Sequence, residues 1–516
     1  MEKRVLLAAA YSIIEPLGIL HISSVAKEEG WDVKIALSKK QDFSDLDSIL
    51  EEFKPSIFGF TIYTGTHKQF FLYCKKLKEK YKDLIIVVGG PHATYFPEES
   101  LQYADYVVIS EGFNSFRMIL RGEVKPGIIH LTKLEKFPIA DRETFYQDYL
   151  EHKKSPIKSI ITQTGCPYNC TYCYNSSSLE DIRHCLSPSQ HAEMGKILYP
   201  LGKLFPRSIR SVDEIIKEVA DILRVSPETK MIYFQDDIFV NMDYEWIKEF
   251  HKKFTPLCLP FHAQIRWEFA DPNNPKNKEK LELIREAGCT GLTIAIESGD
   301  NTIRKEVLNR HMDEDLMFRV LKFLNELGFK VRTEQMLGLP LGATTEKTPV
   351  NLEADLKTLE LNIRLKEKTG LPTFAWASIF TPYKKTKIGD YCLKHGFYLE
   401  NNSDIPTTFF ERSILNFPRE WVGSSLSHEM KNVWMSENEQ EEYKDKLQLL
   451  RDLFNYFASI PKGHKLAKEF LEEEIKSYQK LNVFDYRKRL SSLESHGRLS
   501  IMERRHLYDS VLYEVE

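Results

Sequence analysis

The chain has 516 residues, of which 42% are hydrophobic and 28% are charged, a balance typical of a globular protein with a large apolar core. Its formal net charge of -4 gives no overall positive field for a nucleic-acid backbone, and no apolar run reaches the roughly 18 residues of a membrane span. We therefore expect a cytoplasmic protein of roughly two to four domains that binds neither nucleic acid nor membrane.

Residues 1–135 alternate short apolar runs with segments of helical periodicity. Continuous apolar strands separated by helices predict an α/β domain with a Rossmann-like, doubly wound parallel sheet. Ligands of such sheets bind outside the carboxyl ends of the strands, where the tight-turn residues Gly65, Gly89 and Gly112 fall. The predicted strands are 5–9, 33–37, 57–62, 84–88 and 106–109.

The rest of the chain divides into three predicted regions. A polar stretch at residues 136–155 is predicted to be a linker, and a second β/α series occupies residues 156–396. This series has about six units, fewer than the eight of a closed (β/α)8 barrel. The patterns typical of strands end at about residue 397. Residues 397–516 are predicted to form a mainly helical domain, with helices at 437–457 and 465–478. The strands predicted for the second series are 157–162, 231–234, 262–267, 291–296, 330–337 and 374–380.

Three of the eight cysteines lie close together, as Cys166, Cys170 and Cys173 in the pattern CxxxCxxC. The pattern follows a predicted strand, so a loop can turn all three thiolates toward one metal group. Three soft thiolates suit a [4Fe–4S] cluster with one iron left open to another ligand. The alternative is a structural zinc site, for which His184 or Cys185 would supply the fourth ligand.

The aromatic residue before the last cysteine, Tyr172, makes this loop resemble the signature of the radical S-adenosylmethionine (SAM) superfamily. Supporting motifs follow in chain order at residues 234–237, 296–299 and 338–340, each at the end of a predicted strand. The resemblance covers residues 155–395 and implies a partial (β/α)6 barrel. It also implies reductive cleavage of SAM to a 5′-deoxyadenosyl radical, with an external electron donor of the flavodoxin or ferredoxin type.

The same resemblance implies which residues contact SAM. Tyr172 would lie near the adenine, Glu297 would face the ribose or carboxylate, and Arg332 could pair with the carboxylate through its planar guanidinium. Alternatives stay open: Asp236 could cap the helix that follows it, and Glu297 or Arg332 could form ordinary buried ion pairs. The predicted SAM-binding residues are Tyr172, Gln235, Asp236, Glu297, Ser298, Arg332 and Gly338.

Turn residues of the first domain resemble the cobalamin-binding domain of the cobalamin-dependent radical SAM class. Glycines let the backbone approach a large corrin, and hydroxyl groups such as those of Thr64 and Thr66 can satisfy its amides. The Asp-x-His-x-x-Gly pattern is absent, so a histidine is not expected as lower axial ligand. The alternative is a generic sheet whose glycines only make turns. The predicted cobalamin-binding residues are Leu17, Gly18, Thr64, Thr66, Gly89, Gly90, Pro91, His92, Ser110, Glu111 and Gly112.

The combined resemblance implies a methyltransferase that acts on an unactivated carbon or phosphorus centre of a small-molecule, natural-product-type substrate. It would use a 5′-deoxyadenosyl radical and methylcobalamin. Three alternatives stay open: a radical SAM cyclase or rearrangement enzyme, a radical SAM enzyme whose first domain no longer binds cobalamin, and a non-enzymatic iron–sulfur or zinc sensor. The sequence does not name the substrate, the lower axial ligand or the oligomeric state.

Overall fold

The computed structural model divides the chain into two units, which are described separately. Unit 1 comprises residues 1–168 and 174–237, and unit 2 comprises residues 169–173 and 238–516. Most of the predicted helix at 465–478 lies outside the described residues. The structure describes residues 3–130, 137–188, 203–204, 208–341, 348–399, 405–406, 412–421, 423, 425–427, 433–459, 461–465, 467–468 and 471.

Unit 1 begins with a parallel sheet in the strand order β2-β1-β3-β4-β5-β6. The central strand β1 is buried along most of its length, and Val5 pairs with Val33 on one side and Ile57 on the other. Five strands match the sequence prediction, and β6 was not predicted. The strands are β1 (Arg4–Ala10), β2 (Asp32–Ser38), β3 (Ile57–Thr61), β4 (Ile85–Gly89), β5 (Tyr106–Val108) and β6 (Gly127–Ile129).

Helices cover both faces of this sheet. Successive side chains of a strand point to opposite faces, so Val5 and Leu7 pack into one core, while Leu6 and Ala8 pack into another. The first core includes residues of α1 and α6, and the second includes residues of α2 and α3. The helices are α1 (Leu17–Glu28), α2 (Asp47–Phe53), α3 (His67–Lys80), α4 (Pro91–Tyr95), α5 (Pro97–Leu101) and α6 (Phe113–Leu120).

The stretch predicted to be a linker contains two helices, α7 (Arg142–Asp148) and α8 (Leu150–Lys154). Its polar composition reflects a buried ion-pair network in unit 1. The Arg142 guanidinium is fully buried and lies 2.8 Å from Oε1 of Glu218 and 3.4 Å from Oε2 of Glu15. Arg210 contacts the other oxygen of Glu218 at 2.6 Å. Removal of any partner would leave an uncompensated buried charge, so the network fixes this segment against its surroundings.

The end of unit 1 contains a β/α/β element. Strand β7 (Ile157–Ile160) pairs in parallel with β10 (Met231–Phe234), and helix α9 (Val212–Val225) lies between them in the chain. Ser211 starts α9 with a capping box, because its hydroxyl accepts from the backbone N–H of Glu214, whose carboxylate accepts from the N–H of Ser211. Two short strands, β8 (Gln163–Thr164) and β9 (Ser208–Ile209), pair antiparallel. Short 3-10 segments occupy Tyr174–Ser176 and Leu179–Cys185.

Unit 2 contains four parallel strands in the order β15-β13-β12-β11. Together with β7 and β10 of unit 1, they account for the six strands predicted for the second β/α series. The short strands β14 and β16 pair antiparallel. The strands are β11 (Phe261–Ile265), β12 (Cys289–Glu297), β13 (Lys330–Leu337), β14 (Thr348–Pro349), β15 (Phe374–Ile379) and β16 (Glu420–Trp421).

Helices alternate with the parallel strands of unit 2 and continue toward the C-terminus. The longest described helix, α15, buries Leu447, Leu450 and Phe454 in the same core as residues of β15 and α13. No helix in the described part of the chain is both long and apolar enough to cross a bilayer. The helices are α10 (Tyr244–Phe254), α11 (Pro275–Glu286), α12 (Glu314–Glu326), α13 (Glu353–Thr369), α14 (Lys387–Lys394) and α15 (Glu437–Ser459).

Candidate functional site

The first part of the cysteine loop, in unit 1, is held by a buried lysine that the sequence analysis missed. The ammonium group of Lys203 donates to the carbonyl oxygens of Cys166 (2.8 Å), Tyr168 and Asn175 (3.1 Å). A single ammonium has three protons to donate, so it can hold three carbonyls at once. Lys203 therefore fixes the backbone at the start of the CxxxCxxC pattern and just after its end.

The second part of the loop, in unit 2, is held by hydrogen bonds to backbone carbonyl oxygens. The backbone N–H of Cys173 donates to the carbonyl of Cys170 at 3.2 Å. Thr171 donates from its hydroxyl to the carbonyl of Val307 at 2.7 Å and from its N–H to that of Leu308 at 3.3 Å. Cys170 is buried and Cys173 is half-buried. The loop thus holds its cysteines in a defined backbone conformation that suits a group with several thiolate ligands.

Two of the predicted SAM-binding residues contact each other directly. The Tyr172 hydroxyl lies 2.5 Å from Oε1 of Glu297, and the buried Arg310 guanidinium contacts the same two atoms at 3.1 and 3.3 Å. Burial raises the pKa of the Glu297 carboxyl, and the Arg310 charge opposes that rise. Arg310 was not predicted, because nothing in its local sequence distinguishes it from an exposed arginine.

Strand β12 ends in a strained turn that places Glu297. This residue has φ of 67°, in the left-handed region that is unusual for a side chain other than glycine, and the β12–β13 register shifts between Ala295 and Glu297. Such bulges and outliers cluster at functional sites, where they re-aim a side chain. Gly299 is required just beyond, because an added Cβ would lie 2.3 Å from the carbonyl oxygen of Lys357.

Three other predicted SAM-binding residues have partners within unit 2. Ser298 is buried, and its hydroxyl accepts from the N–H of Asp300 at 3.2 Å. Arg332 forms an ion pair of 2.6 Å with Glu334, which is one of the alternatives left open by the sequence. Gly338 has φ of 73°, and an added Cβ would lie 2.4 Å from Cδ2 of Leu447. Gly338 is thus also needed for packing.

The remaining two predicted SAM-binding residues end strand β10 in unit 1. The Gln235 side chain donates to the Ser159 hydroxyl at 3.2 Å. Asp236 is fully buried, and its carboxylate accepts from the backbone N–H groups of Thr162 (2.6 Å) and Gln163 (3.1 Å) and from the Thr162 hydroxyl. Its side chain therefore anchors the segment that leads into the cysteine loop. The N-cap of the next helix is Asp243 instead.

The zinc alternative depends on His184 and Cys185, which lie near each other in unit 1. The Cys185 sulfur is 3.3 Å from Nε2 of His184, and that nitrogen is 3.3 Å from Oε2 of Glu98. These three side chains form one of two groups among the described residues whose potential ligand atoms lie within 4.8 Å of one another. His184 and Cys185 therefore have an acidic neighbour on helix α5.

A largely apolar cavity of about 240 Å³ opens in unit 1 between the parallel sheet and helices α1 and α6. Six of the predicted cobalamin-binding residues line it: Gly18, Gly89, Gly90, Ser110, Glu111 and Gly112. The other lining residues, which were not predicted, are Leu7, Ile19, His21, Ile22, Gly59, Phe60, Thr61, Val87, Val108, Phe113, Phe116, Phe137, Ile161 and Thr164.

Five predicted cobalamin-binding residues do not line this cavity. Leu17 packs into the core beside α1, and Thr66 donates from its hydroxyl to the carbonyl of Tyr63. The Thr64 hydroxyl lies 3.0 Å from Nδ1 of His92, and Pro91 is the first residue of α4. His92 is buried, with Nε2 3.4 Å from Oε2 of Glu99. Thr64, Thr66, Pro91 and His92 follow β3 and β4 and shape those loops, whereas Leu17 is the first residue of α1.

The glycines of the cavity fit a bulky ligand. An added Cβ at Gly18 would have nothing within 4 Å, so this position on α1 leaves open space on the cavity side. Gly90 has φ of 90°, and an added Cβ would lie 2.3 Å from Oγ1 of Thr61. One glycine thus gives the ligand room, and the other lets two backbone segments approach closely.

Three polar atoms that line the cavity are buried and have no hydrogen-bond partner among the described residues: Nε2 of His21, Oγ of Ser110 and Oε1 of Glu111. The Nδ1 of His21 lies 2.8 Å from the carbonyl of Pro138, and burial lowers the pKa of this imidazole to about 4. A neutral His21 therefore leaves the Nε2 lone pair available. Buried polar atoms without partners cost free energy, so the cavity fits a ligand that supplies polar groups, such as corrin amides.

Glu111 provides a pH-dependent test of this cavity. Burial raises the pKa of Glu111 from 4.5 to about 7, so the folded chain loses stability relative to the unfolded chain as the pH rises through this interval. We expect Glu111→Gln to unfold at about the same denaturant concentration as the wild type near pH 4.5 but to be more stable at pH 8 by about 3 kcal/mol. Denaturant titrations of the corrinoid-free protein measure this difference, and a difference that is the same at every pH would contradict it.

Family models match two parts of the chain. The B12-binding domain model matches residues 3–120, and the radical SAM superfamily model matches residues 160–346. The first match contains every residue that lines the cavity from Leu7 to Phe116. The second contains the CxxxCxxC loop and strands β8 to β13, and it begins at the last residue of β7. Together the two matches cover more than half of the chain.

The chain is also similar to individual proteins along most of its length. The chain is 25% identical over 417 residues to an uncharacterised methyltransferase of Pyrococcus horikoshii, with 75% of this chain and 80% of the relative covered. It is 22% identical to cytidylyl-2-hydroxyethylphosphonate methyltransferase of Streptomyces wedmorensis, with 80% and 84% covered. Its fold is similar to that of the radical SAM methyltransferase TsrM of Kitasatospora setae with cobalamin and a [4Fe–4S] cluster bound (TM-score 0.55, 16% identity, 79% and 78% covered).

The chain therefore belongs to the cobalamin-dependent radical SAM enzymes. Its cofactors are a [4Fe–4S] cluster, SAM and cobalamin, and its fold is a Rossmann-like sheet followed by a partial radical SAM barrel and a helical C-terminal region. The family, fold class, enzyme class and cofactors predicted from the sequence are confirmed. The zinc and sensor alternatives lose their support.

Proposed function

We propose that this enzyme transfers a methyl group to an unactivated carbon or phosphorus centre of a small-molecule substrate. The observation that carries the proposal is the presence, in one chain, of a thiolate loop and a glycine-lined cavity with three unpartnered polar atoms. The names of the relatives support methyl transfer, and one relative is named for a phosphonate substrate. We further propose that the substrate is of the natural-product type.

The three thiolates of Cys166, Cys170 and Cys173 are the proposed ligands of the cluster. When bound, the cluster and SAM supply a carbon-centred radical, and the corrin supplies a methyl group. The chain itself keeps the loop in place: Lys203 holds the carbonyls around Cys166, and Thr171 anchors the segment around Cys170. This fixed backbone orients the thiolates before any cofactor binds.

Residues of unit 2 are proposed to bind and orient SAM. Glu297 and Tyr172 form a buried pair with Arg310, and a ribose hydroxyl or an amino group could exchange into these hydrogen bonds. The proposal also includes Ser298, Arg332 and Gly338. In unit 1, Asp236 holds the backbone before the cysteine loop, so its contribution is to position that loop, and Gln235 is proposed to present its backbone.

The cavity of unit 1 is proposed to hold the corrin or its nucleotide tail. Gly18, Gly89, Gly90 and Gly112 line the cavity without side chains, and Ser110 and Glu111 supply polar atoms for ligand amides. We propose that the remaining predicted residues do not contact the ligand directly but fix the segments that follow β1, β3 and β4. These residues are Leu17, Thr64, Thr66, Pro91 and His92.

The cellular setting is part of the same proposal. None of the eight cysteines forms a disulfide, as expected in a reducing compartment, so we propose a cytoplasmic location. The cluster needs an electron from outside the chain, and we propose a donor of the flavodoxin or ferredoxin type.

Product analysis tests the proposed reaction. Anaerobic protein, reconstituted with iron, sulfide and hydroxocobalamin, is incubated with SAM, a chemical reductant and a panel of phosphonates and natural-product precursors. A methyltransferase will form 5′-deoxyadenosine, S-adenosylhomocysteine and a methylated product together. Formation of 5′-deoxyadenosine with a rearranged but unmethylated product would contradict methyl transfer. Protein that retains no corrin absorbance would contradict the role of the cavity.

A further inference from the structure

A buried arginine that follows strand β11 contacts one of the proposed cluster ligands. The Arg266 side chain is about 7% exposed, and its NH1 nitrogen lies 3.5 Å from the sulfur of Cys170. This distance is within the range of a hydrogen bond to sulfur, so the guanidinium donates to the thiol or thiolate. Arg266 and Cys170 both belong to unit 2.

The guanidinium of Arg266 is oriented by a second residue. Its NH2 and Nε nitrogens contact the two carboxylate oxygens of Glu268 at 2.8 and 3.2 Å, in the bidentate arrangement that fixes an arginine most firmly. The NH1 nitrogen takes no part in the pair with Glu268, and it faces the Cys170 sulfur. The second nearby arginine, Arg310, donates instead to Tyr172, Glu297 and a backbone carbonyl.

A donor and a positive charge at a cluster sulfur affect electron transfer. Adding an electron to a [4Fe–4S] cluster makes it more negative, and a hydrogen bond to a sulfur ligand stabilises that added charge. The effect is strong where water is excluded, because a buried charge is poorly screened. Arg266 is buried, so its charge acts on Cys170 at short range.

We propose that Arg266 is a positioning residue that raises the reduction potential of the cluster by donating from NH1 to the Cys170 thiolate. The inference rests on the proposed role of Cys170 as a cluster ligand. In the step it affects, the oxidised cluster takes up one electron, the external donor of the flavodoxin or ferredoxin type loses one, and no covalent bond of the protein forms or breaks. Glu268 holds the guanidinium in the donating orientation.

Redox titration of the reconstituted full-length protein, followed by electron paramagnetic resonance, tests the proposal. We expect Arg266→Met to lower the equilibrium constant for one-electron reduction about tenfold, which is about 59 mV toward more negative potential. Arg266→Lys keeps the charge and should recover part of the loss. The matched control is Arg319→Met, because Arg319 forms a similar bidentate pair with Asp271, at 2.9 and 3.0 Å, on helix α12. The cluster of the Arg319→Met variant should have the reduction potential of the wild type.

A second variant covers the case in which Arg266→Met no longer holds its cluster. Glu268→Gln removes the carboxylate charge that offsets the guanidinium but keeps an amide oxygen that can accept from it. The guanidinium therefore stays oriented, and the reduction potential of the cluster should move in the positive direction. An Arg266→Met protein with full iron content and the wild-type potential would overturn the inference, as would an unchanged Glu268→Gln potential. Wild-type protein without a cluster would instead contradict the proposed function.

Discussion

Replacing Cys170 by alanine will remove the iron–sulfur cluster and reduce SAM cleavage by roughly a thousandfold or more. Three thiolates are the minimum that holds a [4Fe–4S] cube with one iron open, and two do not retain it. Without the cluster, no group of the chain can deliver the electron that breaks the carbon–sulfur bond. Iron and sulfide analysis, together with the rate of 5′-deoxyadenosine formation, measures the effect. Cys166→Ala and Cys173→Ala should behave in the same way.

Two other cysteines provide controls for this prediction. Cys185 is, with His184, one of the two candidates for the fourth ligand of a zinc site, and Cys258 is exposed at the end of a 3-10 turn. Cys185→Ala and Cys258→Ala should keep their iron, sulfide and activity. Loss of metal from Cys185→Ala with normal metal content in Cys173→Ala would show that the wrong set of ligands has been assigned.

Replacing Gly18 by leucine will weaken corrinoid binding by roughly 10- to 100-fold while leaving the fold intact. Gly18 lines the cavity, and an added Cβ there meets nothing within 4 Å, so a larger side chain fits without strain on the backbone and is expected to occupy space beside the ligand. Steric exclusion of about 1.4 to 2.8 kcal/mol corresponds to a loss of affinity of roughly 10- to 100-fold. Absorbance titration with hydroxocobalamin measures the affinity.

The stability of the Gly18 variants separates this effect from misfolding. Glycine is unfavourable inside a helix, so leucine on α1 should raise the free energy of unfolding of the corrinoid-free protein by up to about 1 kcal/mol. Gly18→Ala should gain similar stability and keep most of its corrinoid affinity, because its side chain is small. If Gly18→Leu binds hydroxocobalamin as tightly as the wild type does, the cavity does not hold the corrinoid.

The layer structure of unit 1 could be predicted because its strands are long and apolar. The run from Val5 to Ala9 is buried on both faces, so hydrophobicity marks it without any periodicity. Strand β6 (Gly127–Ile129) was missed, since three residues at a sheet edge give too short a signal. The buried side of α7 was missed for a different reason: Arg142 is buried only because Glu15 and Glu218 neutralise it.

The cysteine loop could be predicted because its ligands lie close together in the sequence and their spacing is itself the evidence. The groups around the loop could not. Lys203, Arg266 and Arg310 come from distant segments, and each is buried only because a specific partner satisfies it. A sequence shows the residue type but not the partner, so buried polar residues look like ordinary surface charges.

The residues that line the cavity could be predicted from the sequence only in part. The glycine turns at Gly89 and Gly112 pointed to it, because backbone turns at strand ends face the ligand in this class of sheet. His21 was missed because it lies within helix α1, where a histidine usually belongs to the core. Thr64 was predicted from the resemblance to offer its hydroxyl to corrin amides, and that stays a prediction; in the structure this hydroxyl contacts His92, a contact that the sequence does not show.

Metal and sulfide analysis of anaerobically purified protein tests the central claim most directly. The three thiolates at Cys166, Cys170 and Cys173 should hold about four iron and four sulfide per chain, and the reduced protein should convert SAM to 5′-deoxyadenosine. A content of about one zinc per chain, with no sulfide and no SAM cleavage, would contradict the account of the site and of the reaction.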